Sequence, residues 1–219
     1  MMEFTYKTLT LNEMEMIEKL QQVVIDSLDD ATILQPLNKA EFQNILGDNG
    51  VMLGAFHENQ LIACRALLKP DPNEDEHLGI DAGASDLTRV LYQEVSFVHP
   101  AYRGQGLQKK LGARIMKCVD GADFDVVCAT VKPFNIASLK DKFSQGMHVV
   151  ALKLKYGGKL RYVFAKKLHT EISVSEDAIV VEMGDTEKQQ VLLSQGYVGT
   201  NLQFINEKWF VTFQNNKNA

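Results

Sequence analysis

The chain has 219 residues, of which 45% are hydrophobic and 23% charged, a composition typical of a globular protein with an apolar core. This composition excludes a disordered or collagen-like chain, and no apolar run reaches the roughly 20 residues that a membrane-spanning helix needs. The net charge of -5 conceals an uneven distribution of charge along the chain. Residues 1–89 carry 6 basic and 16 acidic side chains, and residues 171–219 carry 3 basic and 7 acidic ones. Residues 90–170, in contrast, carry 14 basic and 5 acidic side chains. A basic middle in an acidic chain indicates a local anionic ligand and argues against general nucleic-acid binding.

The start of the chain and its cysteines indicate a cytoplasmic protein. Residues 1–7 contain no basic flank leading into an apolar stretch, so we expect neither export nor membrane association. Cys64, Cys118 and Cys128 are too few and too scattered for a disulfide framework or a zinc site. Because each lies in an apolar stretch, we expect all three in the core and no bound metal.

The first third of the chain predicts a strand, two helices and a hairpin. A strand over residues 3–9 precedes a helix that Asn12 caps. The apolar positions of that helix recur at helical spacing: Met16, Leu20, Val23, Val24 and Leu28. Asn38 caps a second helix, and residues 51–56 and 61–68 form the hairpin.

The middle of the chain predicts a strand, a helix and a second strand. Residues 91–98 form the first strand, and residues 125–131 form a nearly continuous apolar strand. The helix between them runs from residue 106 to 119, with one apolar face: Leu107, Leu111, Ile115 and Cys118. A crossover of this length implies that the two strands are parallel. A further helix begins after Asn135 and ends before Gly146.

The last part of the chain predicts a hairpin and a C-terminal extension. Gly157-Gly158 between two apolar runs is a strong hairpin signal. Beyond residue 171 the chain predicts a strand, a helix and a final hairpin, which together are too short for an independent core. We therefore expect a main domain of residues 1–170 and an extension of residues 171–219 packed on or beside it. The apolar final hairpin leaves both a monomer and a homodimer open.

The strongest chemical signal is a glycine turn at residues 98–108, where a strand ends and a helix opens. Two glycines allow close approach to a phosphate, and the positive end of the helix dipole lies behind consecutive amides. The next residues include five basic and no acidic side chains: Arg103, Lys109, Lys110, Arg114 and Lys117. The Gly-Lys-Ser/Thr ending of a P-loop and the third glycine of a dinucleotide fingerprint are both missing. The turn is therefore either a phosphate cradle of another kind or a tight connection.

With Val98-His99-Pro100-Ala101-Tyr102-Arg103-Gly104-Gln105-Gly106-Leu107, the turn resembles the pyrophosphate segment of the GNAT superfamily of acyl-CoA-dependent N-acyltransferases. Asn135-Ile136-Ala137-Ser138, with Gly146 eleven residues after Asn135, is similar to the second cofactor segment of that family. The order of strands and helices over residues 1–168 also follows the family. The resemblance implies a mixed, mostly antiparallel α/β sheet flanked by helices. It further implies a parallel pair of strands splayed at the coenzyme A site and a small C-terminal α/β extension.

The resemblance also implies acetyl-CoA, or another short acyl-CoA, as the cosubstrate. The backbone of Phe97 and Val98 would pair with the pantetheine arm, and Asn135 would reach the pantetheine or the departing thiol. The residues expected at the cofactor are Phe97, Val98, Arg103, Gly104, Gln105, Gly106, Leu107, Gln108, Lys109, Asn135, Ser138 and Lys142. Two of them depart from the family pattern, because Gln108 replaces a small residue and Lys142 replaces the tyrosine that often protonates the thiolate.

Acetyl transfer to an amine needs a base, because an ammonium group is not a nucleophile. Glu94 is the only acidic residue between Asp86 and Asp120 and lies in an apolar strand, so we expect it to be this base. If the strand is unbroken, Tyr92, Glu94 and Ser96 share one face. The alternative is that Glu94 only pairs with a basic neighbour.

The identity of the general acid is open, because Lys142 stands where the family often has a tyrosine. Tyr156 and Tyr162 flank the Gly-Gly hairpin, and either could replace the missing acid; of the two, we assign Tyr156. Both residues have packing as an alternative role. His99, at the mouth of the turn, is expected to be exposed and without a catalytic role.

Two charged segments bear on the acceptor. The acidic insertion at residues 69–89 either is a solvated loop or steers a cationic acceptor. Basic residues of the hairpin either form a solvated sheet edge, which we favour, or bind the acceptor: Lys153, Lys155, Lys159 and Arg161. The expected activity is transfer of a short acyl group from acyl-CoA to a primary amine of a small molecule or a protein by direct attack in a ternary complex. The alternative is a GNAT-fold module that binds or senses acyl-CoA without turnover.

Overall fold

The computed structural model describes residues 2–119 and 121–217, which form two compact units. Unit 1 contains residues 2–70 and 91–119, and unit 2 contains residues 71–90 and 121–217. The strands are β1 Thr5–Thr8, β2 Gly50–His57, β3 Gln60–Leu68, β4 Val90–Val98, β5 Val126–Val131, β6 His148–Lys155, β7 Lys159–Lys167, β8 Val174–Glu182, β9 Tyr197–Ile205 and β10 Lys208–Asn216. The α-helices are α1 Met14–Asp26, α2 Lys39–Leu46, α3 Leu78–Asp81, α4 Leu107–Ile115, α5 Ile136–Ser144 and α6 Thr186–Ser194. Short 3-10 helices are Leu11–Glu13, Ala31–Ile33, Leu87–Arg89, Pro100–Tyr102 and Met116–Cys118.

Unit 1 consists of the antiparallel strands β1 to β4, paired in chain order, with α1, α2 and α4 packed on them. Helices α1 and α2 place Ile17 and Phe42 in a core that also holds Met52 of β2 and Phe97 of β4, all fully buried. The predicted cap Asn38 is confirmed, since its side chain accepts a hydrogen bond from the Glu41 amide. These contacts fix β4, the strand that leads into the glycine turn.

The predicted cap of the first helix is wrong. Thr10, and not Asn12, is the capping side chain, and it caps the 3-10 turn Leu11–Glu13 that leads into α1. The Thr10 hydroxyl accepts from the Asn12 amide, while the Glu13 carboxylate accepts from the Thr10 amide at 2.8 Å. A 3-10 turn therefore precedes α1. The buried face of α1 includes Ile17, whereas Met16, one of the apolar positions that predicted the helix, is 44% exposed.

Unit 2 consists of an antiparallel array in the order β5, β7, β6, β9, β10 and β8, with α5 and α6 packed on it. The Gly157-Gly158 turn joins β6 to β7 as predicted. The final hairpin continues this array, because β9 pairs with β6 at Gly199 and Val149. The division into a domain of residues 1–170 and an extension of residues 171–219 stays a prediction.

Two of the three cysteines occupy the core as predicted. Cys64 and Cys128 are fully buried, and burial raises the pKa of each thiol to about 12, so neither is a ready nucleophile. The prediction is wrong for Cys118, which is exposed because α4 gives way to a 3-10 turn before it reaches the expected apolar face. The thiol of Cys118 donates to the Arg114 carbonyl at 3.8 Å.

The predicted fold class is confirmed: the chain has a mixed α/β sheet that contains a parallel pair and is flanked by helices. Within residues 2–119 and 121–217, the helices are too short or too polar to cross a membrane.

Stability is expected to fall as the pH drops from 7.5 to 5.5, because burial lowers the pKa of His77 and of His148 below the ordinary 6.5. Their neutral forms are favoured in the folded state, so the stabilisation is complete above pH 6.5. It is lost as protonation of the unfolded chain begins below that value. Urea unfolding at the two pH values measures this, and His148→Phe should reduce the difference. Equal unfolding free energies at both pH values would contradict the prediction.

Candidate functional site

The glycine turn lies in unit 1 between β4 and α4. His99 begins it by accepting a hydrogen bond from the Ala101 amide at 3.2 Å, so this half-buried histidine caps the turn. Gly104 and Gly106 both adopt left-handed backbone, with φ of 79° and 68°. Gly106 is the cap of α4, whose first residue, Leu107, is buried. Left-handed backbone at both positions explains why the sequence places glycine there.

The backbone amides after the turn are available to a ligand. The Arg103 amide donates to the Pro100 carbonyl at 3.2 Å, and the Lys110 amide donates to the Gly106 carbonyl at 3.0 Å. Between them, the amides of residues 106–109 have no acceptor among the described residues. A Cβ atom at Gly104 or Gly106 would meet no atom within 4 Å, so the space beside both glycines is open. The turn therefore fits a phosphate group in the way that helix N-termini do.

The side chains around the turn are largely engaged within unit 1. The Arg103 guanidinium donates to the Ser27 hydroxyl at 2.7 Å, at the C-terminal end of α1. Tyr102 contacts His57, with 3.1 Å between the Tyr102 hydroxyl and the His57 Nδ1. The Lys110 ammonium lies 5.6 Å from the centre of the Phe4 ring. The Arg103 side chain is therefore already engaged by a hydrogen bond within unit 1.

A β-bulge interrupts β4 at Glu94. Arg65 of β3 pairs with Ser96, and Leu67 pairs with Gln93, so β4 has one residue more than β3 over this stretch. The prediction that Tyr92, Glu94 and Ser96 share one face is therefore wrong, because it required an unbroken strand. Glu94 is half-buried at the bulge, and bulges beside active sites commonly redirect a side chain.

Phe97 and Val98 follow the bulge at the end of β4. The Phe97 side chain is fully buried in the unit 1 core, and Val98 is half-buried. Both residues pair with β3, opposite Cys64 and Ala63. The Phe97 side chain is thus occupied by core packing.

Sequence reasoning missed Arg65, a fully buried arginine of β3. Its guanidinium donates to the Gln93 side chain and, at 3.2 Å, to the carbonyl of Gln108 in the glycine turn. The signal that could have found it is a single charged residue within the otherwise apolar run Leu61–Leu68.

In unit 2, Asn135 begins α5. Its side-chain oxygen accepts from the Ser138 amide at 3.3 Å, which makes Asn135 the predicted helix cap. Phe134, just before it, is 57% exposed in left-handed backbone, and its amide donates to the Met183 sulfur at 3.2 Å. The cap uses only the oxygen of the Asn135 amide, so capping is compatible with a donor role for its nitrogen.

Lys142 lies in the last turn of α5 and is buried. Its ammonium group is 3.5 Å from the Asp141 carboxylate, which also accepts from the Gln145 side chain at 2.9 Å. Burial of a charge requires such compensation. The lysine at the usual tyrosine position is thus an internal ion-pair partner in this structure.

The two candidate tyrosines differ sharply. Tyr162 is fully buried and donates to the Gln189 side-chain oxygen at 2.6 Å, and burial raises its pKa. The interpretation of Tyr162 as a general acid is therefore wrong. Tyr156 is 44% exposed, lies in left-handed backbone with φ of 52°, and has its hydroxyl 3.0 Å from that of Thr130 on β5.

Tyr162→Phe is expected to destabilise the protein by about 2 kcal/mol, because the buried Gln189 oxygen loses its donor. Urea unfolding measures this loss. Tyr156→Phe provides the matched comparison and should cost less than about 1 kcal/mol, because the Tyr156 side chain is partly exposed and hydrogen-bonds to Thr130 at the surface. Equal losses of stability in the two variants would contradict this prediction.

The basic hairpin and the acidic insertion contact each other within unit 2. Asp81, only 3% exposed at its side chain, is an ion-pair partner of both Lys153 and Lys155. Lys155 also donates to the Glu76 carbonyl at 2.7 Å. The favoured interpretation of these basic residues as a solvated edge is wrong for Lys155 and Arg161, each only 4% exposed. Part of the insertion's negative charge is therefore neutralised inside the fold.

Comparisons with known proteins give structural matches only. No protein-family model matches the chain. No curated protein matches it either.

Solved acetyltransferase structures match most of the chain. Arabidopsis thaliana NAA60, in complex with a bisubstrate analogue, is 19% identical with a TM-score of 0.59, over 75% of this chain and 98% of its own. The Escherichia coli ribosomal-protein-S18-alanine N-acetyltransferase is 13% identical with a TM-score of 0.57, over 80% and 98%. The putative acetyltransferase yncA from Salmonella typhimurium, with its cofactor acetyl-CoA, is 16% identical with a TM-score of 0.56, over 80% and 99%. The chain therefore has the fold of the GNAT superfamily N-acetyltransferases.

Proposed function

We propose that the protein is an acyltransferase that moves an acetyl or other short acyl group from acyl-CoA to a primary amine. The observation that carries this proposal is the glycine turn of unit 1, where the amides of residues 106–109 have no acceptor among the described residues and the space beside Gly104 and Gly106 is open. These amides and the helix dipole would hold the pyrophosphate of coenzyme A. The acetyltransferase fold and the acetyl-CoA bound to yncA support the same cosubstrate.

The cosubstrate contacts proposed in unit 1 are supported by the geometry of the turn, and those in unit 2 stay predictions. In unit 1, backbone groups of Phe97 and Val98 would take the pantetheine arm, and residues Arg103 to Lys109 would surround the pyrophosphate. In unit 2, Asn135, Ser138 and Lys142 stay predicted contacts, with the Asn135 amide nitrogen as the donor toward the pantetheine or the thiol. Lys142 is buried and paired with Asp141, which argues against proton transfer by this lysine.

The proposed reaction is direct attack in a ternary complex. Glu94 accepts the proton of the acceptor ammonium group, and the freed amine nitrogen attacks the thioester carbonyl carbon. The new C–N bond forms, the C–S bond breaks, and the thiolate leaves with the electron pair of that bond. Tyr156 gives the thiolate its proton, since its hydroxyl is exposed and hydrogen-bonded to Thr130. The attacking nitrogen loses its second proton to solvent, and proton exchange with solvent then returns Glu94 and Tyr156 to their starting protonation states. Each proton transfer contributes about 10²-fold or more to the rate.

The acceptor is proposed to be a primary amine of a small molecule or a protein. The E. coli and Arabidopsis structures support an amine acceptor, since one is a ribosomal-protein-S18-alanine N-acetyltransferase and the other holds a bisubstrate analogue. Several carboxylates of the insertion would favour a cationic acceptor, although Asp81 is already paired with lysines.

Thermal-shift titration with acetyl-CoA and coenzyme A tests cosubstrate binding, and release of free thiol with a panel of amines tests turnover. A rise in melting temperature together with amine-dependent thiol release is the expected result. Absence of any shift in the unaltered protein would remove the proposed function.

A second candidate function is an acyl-CoA-binding module without turnover. The observation that favours it is Lys142, buried beside Asp141 at the place where the family often has its acid. The same two assays distinguish the candidates, because a binding module gives the thermal shift and no thiol release with any amine.

A further inference from the structure

Arg65 stands out because β3 buries its charged side chain completely. Arg65 is the only charged residue of β3, and no described side chain with less than 2% exposure is larger. A guanidinium group stays charged in a protein, so its burial costs free energy unless hydrogen bonds compensate it. An apolar side chain would fill this volume at lower cost, which indicates a use for the charge.

The hydrogen bonds of Arg65 join two parts of unit 1. The guanidinium donates one hydrogen bond to the side-chain oxygen of Gln93, the residue of β4 that precedes the bulge at Glu94. It donates another, at 3.2 Å, to the carbonyl of Gln108 in the first turn of α4. The same guanidinium thus holds the strand beside Glu94 and the backbone that presents the amides of residues 106–109.

The positive charge of Arg65 lies close to the N-terminal end of α4. A cation near a helix N-terminus is unfavourable, because the helix dipole is positive at that end. Arg65 nevertheless places its charge against the first turn of α4, and the segment from Arg103 to Cys118 has no acidic residue. An anion bound at the turn would interact favourably both with the helix dipole and with the guanidinium group of Arg65.

We propose that Arg65 is a positioning residue of the phosphate turn, which fixes the Gln108 backbone and adds a buried positive charge beneath the amides that bind the pyrophosphate. This inference rests on the proposed function. It adds a residue of β3, outside the turn itself, to the determinants of acyl-CoA affinity.

Coenzyme A binding by isothermal titration tests the inference with two variants and a control. Arg65→Met keeps the volume without the charge and should weaken binding about tenfold, since one charge-assisted contribution is lost. Arg65→Lys restores the charge without the planar fork and should bind about threefold more weakly than the unaltered protein. Gln21→Met is the matched control, because it removes two buried hydrogen bonds of unit 1, both with Leu37, and should leave binding unchanged.

The outcomes separate cleanly. Binding in the order unaltered protein, Lys variant, Met variant, with an unchanged control, supports the inference. The inference is overturned if Arg65→Met binds coenzyme A as tightly as the unaltered protein, or if Arg65→Lys binds no more tightly than Arg65→Met. It is also overturned if Gln21→Met loses as much affinity as Arg65→Met. If Arg65→Met fails to fold, Arg65→Lys decides, and less than about a twofold change overturns the inference. No coenzyme A binding by the unaltered protein would instead remove the proposed function, and this inference with it.

Discussion

Gly106→Trp is expected to weaken acetyl-CoA binding about a thousandfold while the protein stays folded. The side chain would enter the open space above the turn, where a Cβ meets no atom within 4 Å. It would displace a phosphate from the amides of residues 106–109, and charge-assisted hydrogen bonds are the strongest ones available there. Left-handed backbone at φ of 68° adds a cost of about 1–2 kcal/mol to folding. Isothermal titration measures the affinity, and thermal unfolding measures the stability.

Gly83→Trp is the matched control for this prediction. Gly83 has a nearly identical φ of 66° and equally open space around its Cβ position, but it lies in unit 2, after α3. Both substitutions should lower the melting temperature by a similar amount, and only Gly106→Trp should abolish binding. Retained binding in Gly106→Trp, or an equal loss in Gly83→Trp, would show that the turn is merely a tight connection.

Local chemistry explains why much of the fold is predictable from the sequence. The caps Asn38, Asn135 and Asp185 and the Gly157-Gly158 hairpin act through neighbouring backbone groups, so a few residues determine each of them. Thr10 shows the limit of such local prediction, because Thr10 and Asn12 are both residue types that cap well. The hydrogen bond that the Thr10 amide donates to the Glu13 carboxylate decides between them.

The candidate site is less predictable, since its geometry depends on pairings between strands. The glycine turn follows from the sequence, because left-handed backbone and a helix start are local properties. The bulge at Glu94 does not, because it arises from the register of β4 against β3. The same holds for the burial of Tyr162, which depends on Gln189 27 residues away. Periodicity alone treats both tyrosines of the hairpin as equivalent.

Glu94→Gln is expected to lower kcat about a thousandfold and to leave coenzyme A affinity unchanged. The amide keeps the size of the carboxylate and its place at the β4 bulge, but it cannot accept the proton of the acceptor ammonium group. Steady-state thiol release measures the rate, and isothermal titration measures the affinity. The remaining rate of the variant should increase with pH more steeply than that of the unaltered protein, because deprotonation of the amine in solution then replaces the lost base.

The control for Glu94 is Glu58→Gln in the same unit. Glu58 is an exposed carboxylate in the turn between β2 and β3, so its loss should change neither kcat nor affinity. An unaffected rate in Glu94→Gln would remove Glu94 as the base and would favour its alternative role as a paired structural carboxylate. A loss of coenzyme A affinity equal to the loss of rate would indicate that the substitution had disturbed the bulge and, through Gln93 and Arg65, the phosphate turn. A loss confined to kcat, with a steeper pH dependence, is the combination that only a general base accounts for.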